Sequence, residues 1–115
     1  MDWTRRTAQL LGRFQPWHQG HTELFKRALR EVGQVVILLR TTEKDENNPY
    51  SIEERTEFIK EALKDFDQNL FHIMPVPNIA QVAYGRDVGY SFQCYRMDMN
   101  VESISATDIR NETNL

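Results

Sequence analysis

Apolar and polar residues alternate along the first two thirds of the chain in blocks that predict strands and helices in turn. A short apolar run at Thr7–Leu11 predicts a first buried strand. Apolar residues from Leu24 to Val32 recur at the spacing of one helical face, and Gly33 follows where a helix commonly ends. A continuous apolar run at Gln34–Leu39 then predicts a strand covered on both faces. Strand, helix and strand at this spacing indicate a βαβ unit.

The alternation continues to a third strand and then weakens. Ser51 and Glu54 have the spacing of a capping box, and the apolar stripe after them predicts a second helix. Leu70–Met74 predicts a third strand, which prolines close. Tyr90–Met97 fits either a fourth strand or a surface segment, and a last short helix is predicted from Ser105. We therefore expect an α/β fold, a Rossmann-like open parallel sheet of about four to five strands flanked by helices.

Composition narrows the class of protein. A chain of 115 residues is predicted to form a single domain over residues 1–115. The net charge of −3 argues against a basic face for duplex nucleic acid. A single cysteine excludes an intrachain disulfide, and no apolar run is long enough to span a membrane. We expect a cytoplasmic protein that binds neither nucleic acid nor membranes, and a homo-oligomer, because a chain this short buries only a small core.

The most informative stretch is Gly12–His21, which joins the first strand to the first helix. A turn that contains glycine, placed between a strand and a helix start, is a common phosphate site in open α/β sheets. His18 and His21 lie three residues apart around Gly20 at this junction. Imidazoles beside free backbone N–H groups and the positive end of a helix dipole suit the oxygens of a polyphosphate.

The segment from Ser105 to Arg110 offers the same chemistry a second time. It combines a predicted helix start, two hydroxyl groups and a guanidinium that can bind phosphate oxygens in a bidentate manner. Two such segments at the carboxyl edge of one sheet would hold a nucleoside triphosphate between them. A metal site at His18 and His21 is the alternative, but it lacks an evident third ligand.

Three ordered segments resemble the HxGH nucleotidyltransferase superfamily. His18–His21 matches the HxGH motif, and Ile104–Arg110 matches the ISxTxxR signature. Gly12–His18 most resembles the nicotinamide-nucleotide adenylyltransferase branch, and Asn48–Arg55 resembles the NPF…ER segment of that branch. Compared with such enzymes the chain is short between the third strand and the second signature, and also after that signature. Its compact size is closer to the small cytidylyltransferases of the superfamily.

The resemblance implies a transfer reaction and a set of site residues. A phosphate of an acceptor attacks the α-phosphorus of a nucleoside triphosphate, and pyrophosphate leaves. The residues implied as catalytic are His18, His21 and Arg110. The residues implied in nucleotide binding are Gly12, Arg13, Phe14, Gln15, Gly20, Ser105 and Thr107, and the candidates for acceptor binding are Arg40, Arg55 and Arg86. Mg²⁺ would be bound through the nucleotide phosphates, and no protein metal ligand is predicted.

The sequence favours one function and leaves two alternatives. The favoured function transfers AMP from ATP to a phosphorylated small molecule such as nicotinamide mononucleotide. Chain length favours a CTP-dependent cytidylyltransferase that acts on an alcohol phosphate. A non-catalytic nucleotide-binding module is the third possibility, although a pure binder has less need of His18, His21 and Arg110 together.

Overall fold

Strands and helices alternate in the computed structural model, which describes residues 1–86 and 89–95. The elements are β1 (Ala8–Gly12), α1 (Gln19–Val32), β2 (Val35–Arg40), α2 (Ile52–Ala62), a 3-10 turn (Gln68–Leu70) and β3 (Phe71–Val76). All strands of this sheet are parallel, in the order β1-β2-β3. The predicted α/β Rossmann-like fold is confirmed. The predicted number of strands is not confirmed, because the described residues form three strands where about four to five were predicted.

The predicted fourth strand accounts for part of this difference. Residues 90–95 take no regular secondary structure and are largely exposed, so over that range the surface-segment alternative agrees with the structure and the strand alternative does not. The last two residues of the predicted strand, and the helix predicted from Ser105, lie outside the described residues. Within the described part of the chain, no helix has both the length and the apolar character that crossing a membrane requires.

Both helices pack against the same face of the sheet. Val35, Ile37 and Leu39 of β2 are fully buried in one cluster with Phe25 of α1 and Ile59 of α2. The alternate residues of β2 are only partly buried, so the expectation that both its faces are covered is wrong for the described residues. The topology explains this one-sided cover. The chain moves across the sheet in one direction, from β1 to β2 to β3, and right-handed crossovers in a constant direction place both connecting helices on the same face.

The boundaries of the helices follow their capping residues. The sequence assigned Gly12–His21 to the junction between strand and helix, and α1 begins within that stretch, at Gln19, with His18 as its N-cap. Gly33 ends α1 in the left-handed conformation, with φ of 104°, as predicted. Ser51 caps α2, and the predicted capping box with Glu54 is present. This start of α1 places both histidines at its first turn.

β3 extends further than predicted. The sequence placed its end before Pro75, yet the strand runs to Val76 and Pro75 is paired in register with Leu39. Within the described sheet β3 lies at an edge, where a proline can turn its missing N–H away from the neighbouring strand. The carboxyl ends of the three strands thus meet at one edge, directly beside the first turn of α1.

Candidate active site

The turn between β1 and α1 is packed as an extension of the core. Phe14 and Trp17 are buried, and their ring centroids lie 5.0 Å apart. The indole N–H of Trp17 donates a hydrogen bond of 2.8 Å to Oγ1 of Thr22. Phe14 has φ of 50°, an uncommon conformation for a bulky residue, and a Cβ on Gly12 would meet its ring at 3.0 Å. A side chain at position 12 would therefore crowd the Phe14 ring, which would have to shift by a few tenths of an ångström.

His18 and His21 form a capping box with each other at the first turn of α1. Nδ1 of His18 accepts from the Gly20 amide at 3.0 Å, and Nδ1 of His21 accepts from the His18 amide at 3.1 Å. The two rings stack with their centroids 3.8 Å apart. Because both Nδ1 atoms accept, each neutral ring carries its proton on Nε2. The pair therefore offers two N–H donors at a helix N-terminus.

Burial keeps both imidazoles neutral. It lowers the pKa of His18, and together with the neighbouring His18 ring it lowers the pKa of His21 to about 3. The His21 ring also contacts Phe14 and Trp17, at centroid distances of 4.9 and 5.3 Å. At neutral pH the pair presents hydrogen-bond donors to an anion without charges of its own.

Acid should destabilise the fold through His21. Its pKa is about 3 in the folded chain against 6.5 for the free side chain, so the unfolded chain binds more protons between these values. The stabilisation is complete above about pH 6.5 and is lost progressively as the pH falls toward 3, with a slope of at most about 1.4 kcal/mol per pH unit. Urea unfolding between pH 4.5 and 7.5 measures this, because that range covers the upper part of the window and the plateau above it. The H21N variant should show a shallower decline, and equal slopes in both proteins would contradict the assignment.

Gln15 connects the turn to the loop that precedes α2. Its side chain is fully buried, its Nε2 donates to the Tyr50 carbonyl at 3.1 Å, and its Oε1 accepts from the Tyr50 amide at 3.0 Å. The same Nε2 lies 3.5 Å from Oγ1 of Thr42. The sequence suggested a nucleotide contact for Gln15, but the structure directs both ends of its amide to the protein's own backbone.

Asn48 orients the side chain of Arg13, a role that the sequence did not indicate. Oδ1 of Asn48 accepts from Nη1 of Arg13 at 3.1 Å, while its Nδ2 donates to Asp45 at 3.0 Å. The Asp45 carboxylate also accepts from the Asn47 and Asn48 amides, and these bonds, with that from the Asn48 side chain first, lower its pKa. The chain Asp45–Asn48–Arg13 thus fixes one end of the guanidinium. In the sequence, the Asp-x-Asn-Asn pattern of the turn was the signal for this chain of hydrogen bonds.

The remaining predicted residues lie in different surroundings. The Arg40 guanidinium donates twice to Oδ1 of Asn78, at 3.2 and 2.9 Å. Arg55 is buried, and its guanidinium is directed at backbone carbonyls. Arg86 is exposed in the irregular segment after β3, and no described contact connects it with the site. The predictions for Ser105, Thr107 and Arg110 lie outside the described residues.

Most of the predicted residues within the described range meet at the carboxyl edge of the sheet. They are Gly12, Arg13, Phe14, Gln15, His18, Gly20, His21, Arg40 and Arg55. A cavity of about 1310 Å³ opens beside them, lined by the turn from Gly12 to Gln15, by His21 and by residues of β1. Among the described residues, no three His, Cys, Asp or Glu side chains are close enough to hold a metal ion. The carboxyl edge of the sheet therefore presents hydrogen-bond donors, which suit phosphate oxygens.

Comparisons with known proteins agree with this geometry. The chain is 38% identical over 72 residues to nicotinamide-nucleotide adenylyltransferase of Saccharolobus solfataricus, a match that covers 59% of this chain and 42% of the relative. It is 32% identical over 99 residues to an uncharacterized protein of Archaeoglobus fulgidus, covering 84% of this chain and 55% of that protein.

A solved structure of a bifunctional NMN adenylyltransferase/ADP ribose pyrophosphatase from Francisella tularensis, complexed with AMP and a manganese ion, superimposes with a TM-score of 0.59 at 28% identity. The superimposed part covers 64% of this chain and 23% of the Francisella tularensis chain. The matched stretch is thus less than half of each of the two named adenylyltransferases. The cytidylyltransferase-like family model matches residues 10–76, which run from the end of β1 through the histidine pair to the end of β3. The chain therefore belongs to the cytidylyltransferase-like family.

Proposed function

We propose that the protein transfers a nucleoside monophosphate, AMP in preference to CMP, from a nucleoside triphosphate to a phosphorylated acceptor. The observation that carries this proposal is the stacked histidine pair at the N-terminus of α1, whose Nε2–H groups have no acceptor among the described residues. The first turn of α1 contains no acidic residue, so its positive dipole end remains available to an anion. Nicotinamide mononucleotide is the acceptor we favour, because named relatives carry that activity.

In the proposed reaction a phosphate oxygen of the acceptor forms a bond to the α-phosphorus. The bond from the α-phosphorus to the oxygen bridging to the β-phosphate breaks, and pyrophosphate leaves with that electron pair. His21 and His18 would donate hydrogen bonds to the phosphate oxygens as negative charge shifts among them. Arg13, held by Asn48, would bind the outer phosphates together with Ser105, Thr107 and Arg110. Fixed donors of this kind stabilise the transition state because they need no reorganisation.

The hydrogen-bond donors of the described site also indicate how Mg²⁺ would be held. Imidazole, guanidinium and amide N–H groups complement phosphate oxygens, whereas Mg²⁺ prefers oxygen ligands and retains much of its water. The residues therefore fit an ion that arrives on the triphosphate, where it would neutralise phosphate charge. No protein ligand for it is proposed.

Two further features concern the acceptor and the base. Arg40 is held by Asn78 at the carboxyl end of β2, and we propose that it approaches the acceptor phosphate. The second candidate function, transfer of CMP from CTP, is favoured by the description of the matching family model as cytidylyltransferase-like. The homo-oligomer and the cytoplasmic location stay predictions.

A pyrophosphate-release assay separates these functions. We expect turnover with ATP, Mg²⁺ and nicotinamide mononucleotide, and at least about tenfold less with CTP, a difference of about 1.4 kcal/mol in transition-state binding. Simple alcohol phosphates serve as the competing acceptors. Turnover with CTP and an alcohol phosphate alone would replace the favoured function by the second one. Binding of ATP without release on any acceptor would favour the non-catalytic module.

A further inference from the structure

A single buried guanidinium joins the ends of two strands below the site. Arg55, on the first turns of α2, is 1% exposed. Its Nη1 donates to the Arg13 carbonyl at 2.7 Å and to the Arg40 carbonyl at 2.8 Å, while its Nε donates to the Ser51 carbonyl at 3.2 Å. These carbonyls belong to the turn after β1, to the end of β2 and to the N-cap of α2. One side chain thus connects three segments.

The geometry of this contact suits arginine better than lysine. A guanidinium offers five donors in a planar arrangement and stays protonated when buried, whereas a buried lysine has three donors on a flexible stem and loses its proton more readily. Within residues 1–86 and 89–95, the ion pairs do not include Arg55. The backbone carbonyls therefore solvate a buried positive charge directly beneath the edge where the triphosphate is proposed to bind.

We propose that Arg55 is a positioning residue, which holds the Arg13 backbone so that the Arg13 side chain reaches the triphosphate. This inference rests on the proposed function and replaces the acceptor contact that the sequence suggested for Arg55. Arg13 is then held at both ends, by Arg55 at its carbonyl and by Asn48 at its guanidinium. Phe14, in its left-handed conformation, follows directly, so a shift at the Arg13 carbonyl also displaces the start of the histidine turn.

A double-mutant cycle tests the inference. The R55K variant keeps the charge but loses the Nε–H that holds the group against the Ser51 carbonyl, and R13A removes the side chain that Arg55 positions. We expect each single variant to weaken the binding of ATP with Mg²⁺ by about tenfold, and the double variant to be no weaker than R13A alone. A merely structural Arg55 would give additive losses, which would overturn the proposal. R30K is the matched control, because Arg30 is exposed on α1, and it should bind ATP as the wild type does.

A measurement without nucleotide separates this inference from the proposed function. In ¹⁵N NMR spectra of the full chain, the Nε–H signal of Arg13 should be sharp in the wild type and in R30K, and broadened in R55K. Sharp Arg13 signals in R55K would overturn the positioning role, even if ATP binds. Absence of ATP binding in the wild type would instead refute the proposed function while the NMR result still decides the role of Arg55. If R55K does not fold, R55Q takes its place, and unfolding of both would show a general structural role and overturn the proposal.

Discussion

Replacing His21 with asparagine should lower kcat for pyrophosphate release by about 10²–10³-fold, the usual cost of removing one fixed donor from a developing negative charge. The physical reason is that His21 presents Nε2–H from a buried ring whose other nitrogen is occupied by the His18 amide. Asparagine is shorter and cannot place an N–H at the same point. Steady-state assays with ATP and nicotinamide mononucleotide measure the loss.

The matched control for this variant is H72N. His72 lies on β3 with an exposed side chain that contacts Trp3, well away from the carboxyl edge. H72N should keep wild-type kcat, and both variants should retain the cooperative unfolding of the wild type. A kcat for H21N within about threefold of wild type, or about 0.7 kcal/mol, would show that His21 serves only as a capping residue.

Replacing Gln15 with leucine should destabilise the protein by about 2–4 kcal/mol, because the partly buried amide N–H and carbonyl of Tyr50 each lose their partner. For a domain of this size that corresponds to a fall in the thermal midpoint of roughly 10–20 °C. The loop before α2 would also detach from the turn, so affinity for ATP should fall with stability. Thermal unfolding followed by circular dichroism measures the first effect.

Q19L provides the control for the same change of side chain. Gln19 is exposed on the first turn of α1, where its amide donates only to Glu23 in the described structure. Its replacement should change stability by less than about 0.5 kcal/mol, as is usual for surface positions. Equal midpoints for Q15L and Q19L would contradict the assigned role of the Gln15 amide.

The sequence by itself determined the local features of this protein. Apolar periodicity located β1, α1, β2 and α2 to within a few residues, because one-sided burial imposes the period of each element. The capping box at Ser51 and the stop at Gly33 were also readable, since caps depend on neighbours within one turn. The spacing of the two histidines around a helix start likewise indicated an anion site.

Only the tertiary structure decided what Gln15 and Arg55 do. Both stand in motif positions for which the sequence predicted ligand contacts, and the folded chain gives them partners that the motifs did not reveal: Gln15 pairs with a backbone 35 residues away and Arg55 with a carbonyl 42 residues away. Periodicity records which face of an element is buried, but it carries no information on which distant carbonyl a polar side chain will meet. That partner is fixed when α2 and the turn after β1 pack at the same sheet edge, because a buried polar group must then find its hydrogen bonds there.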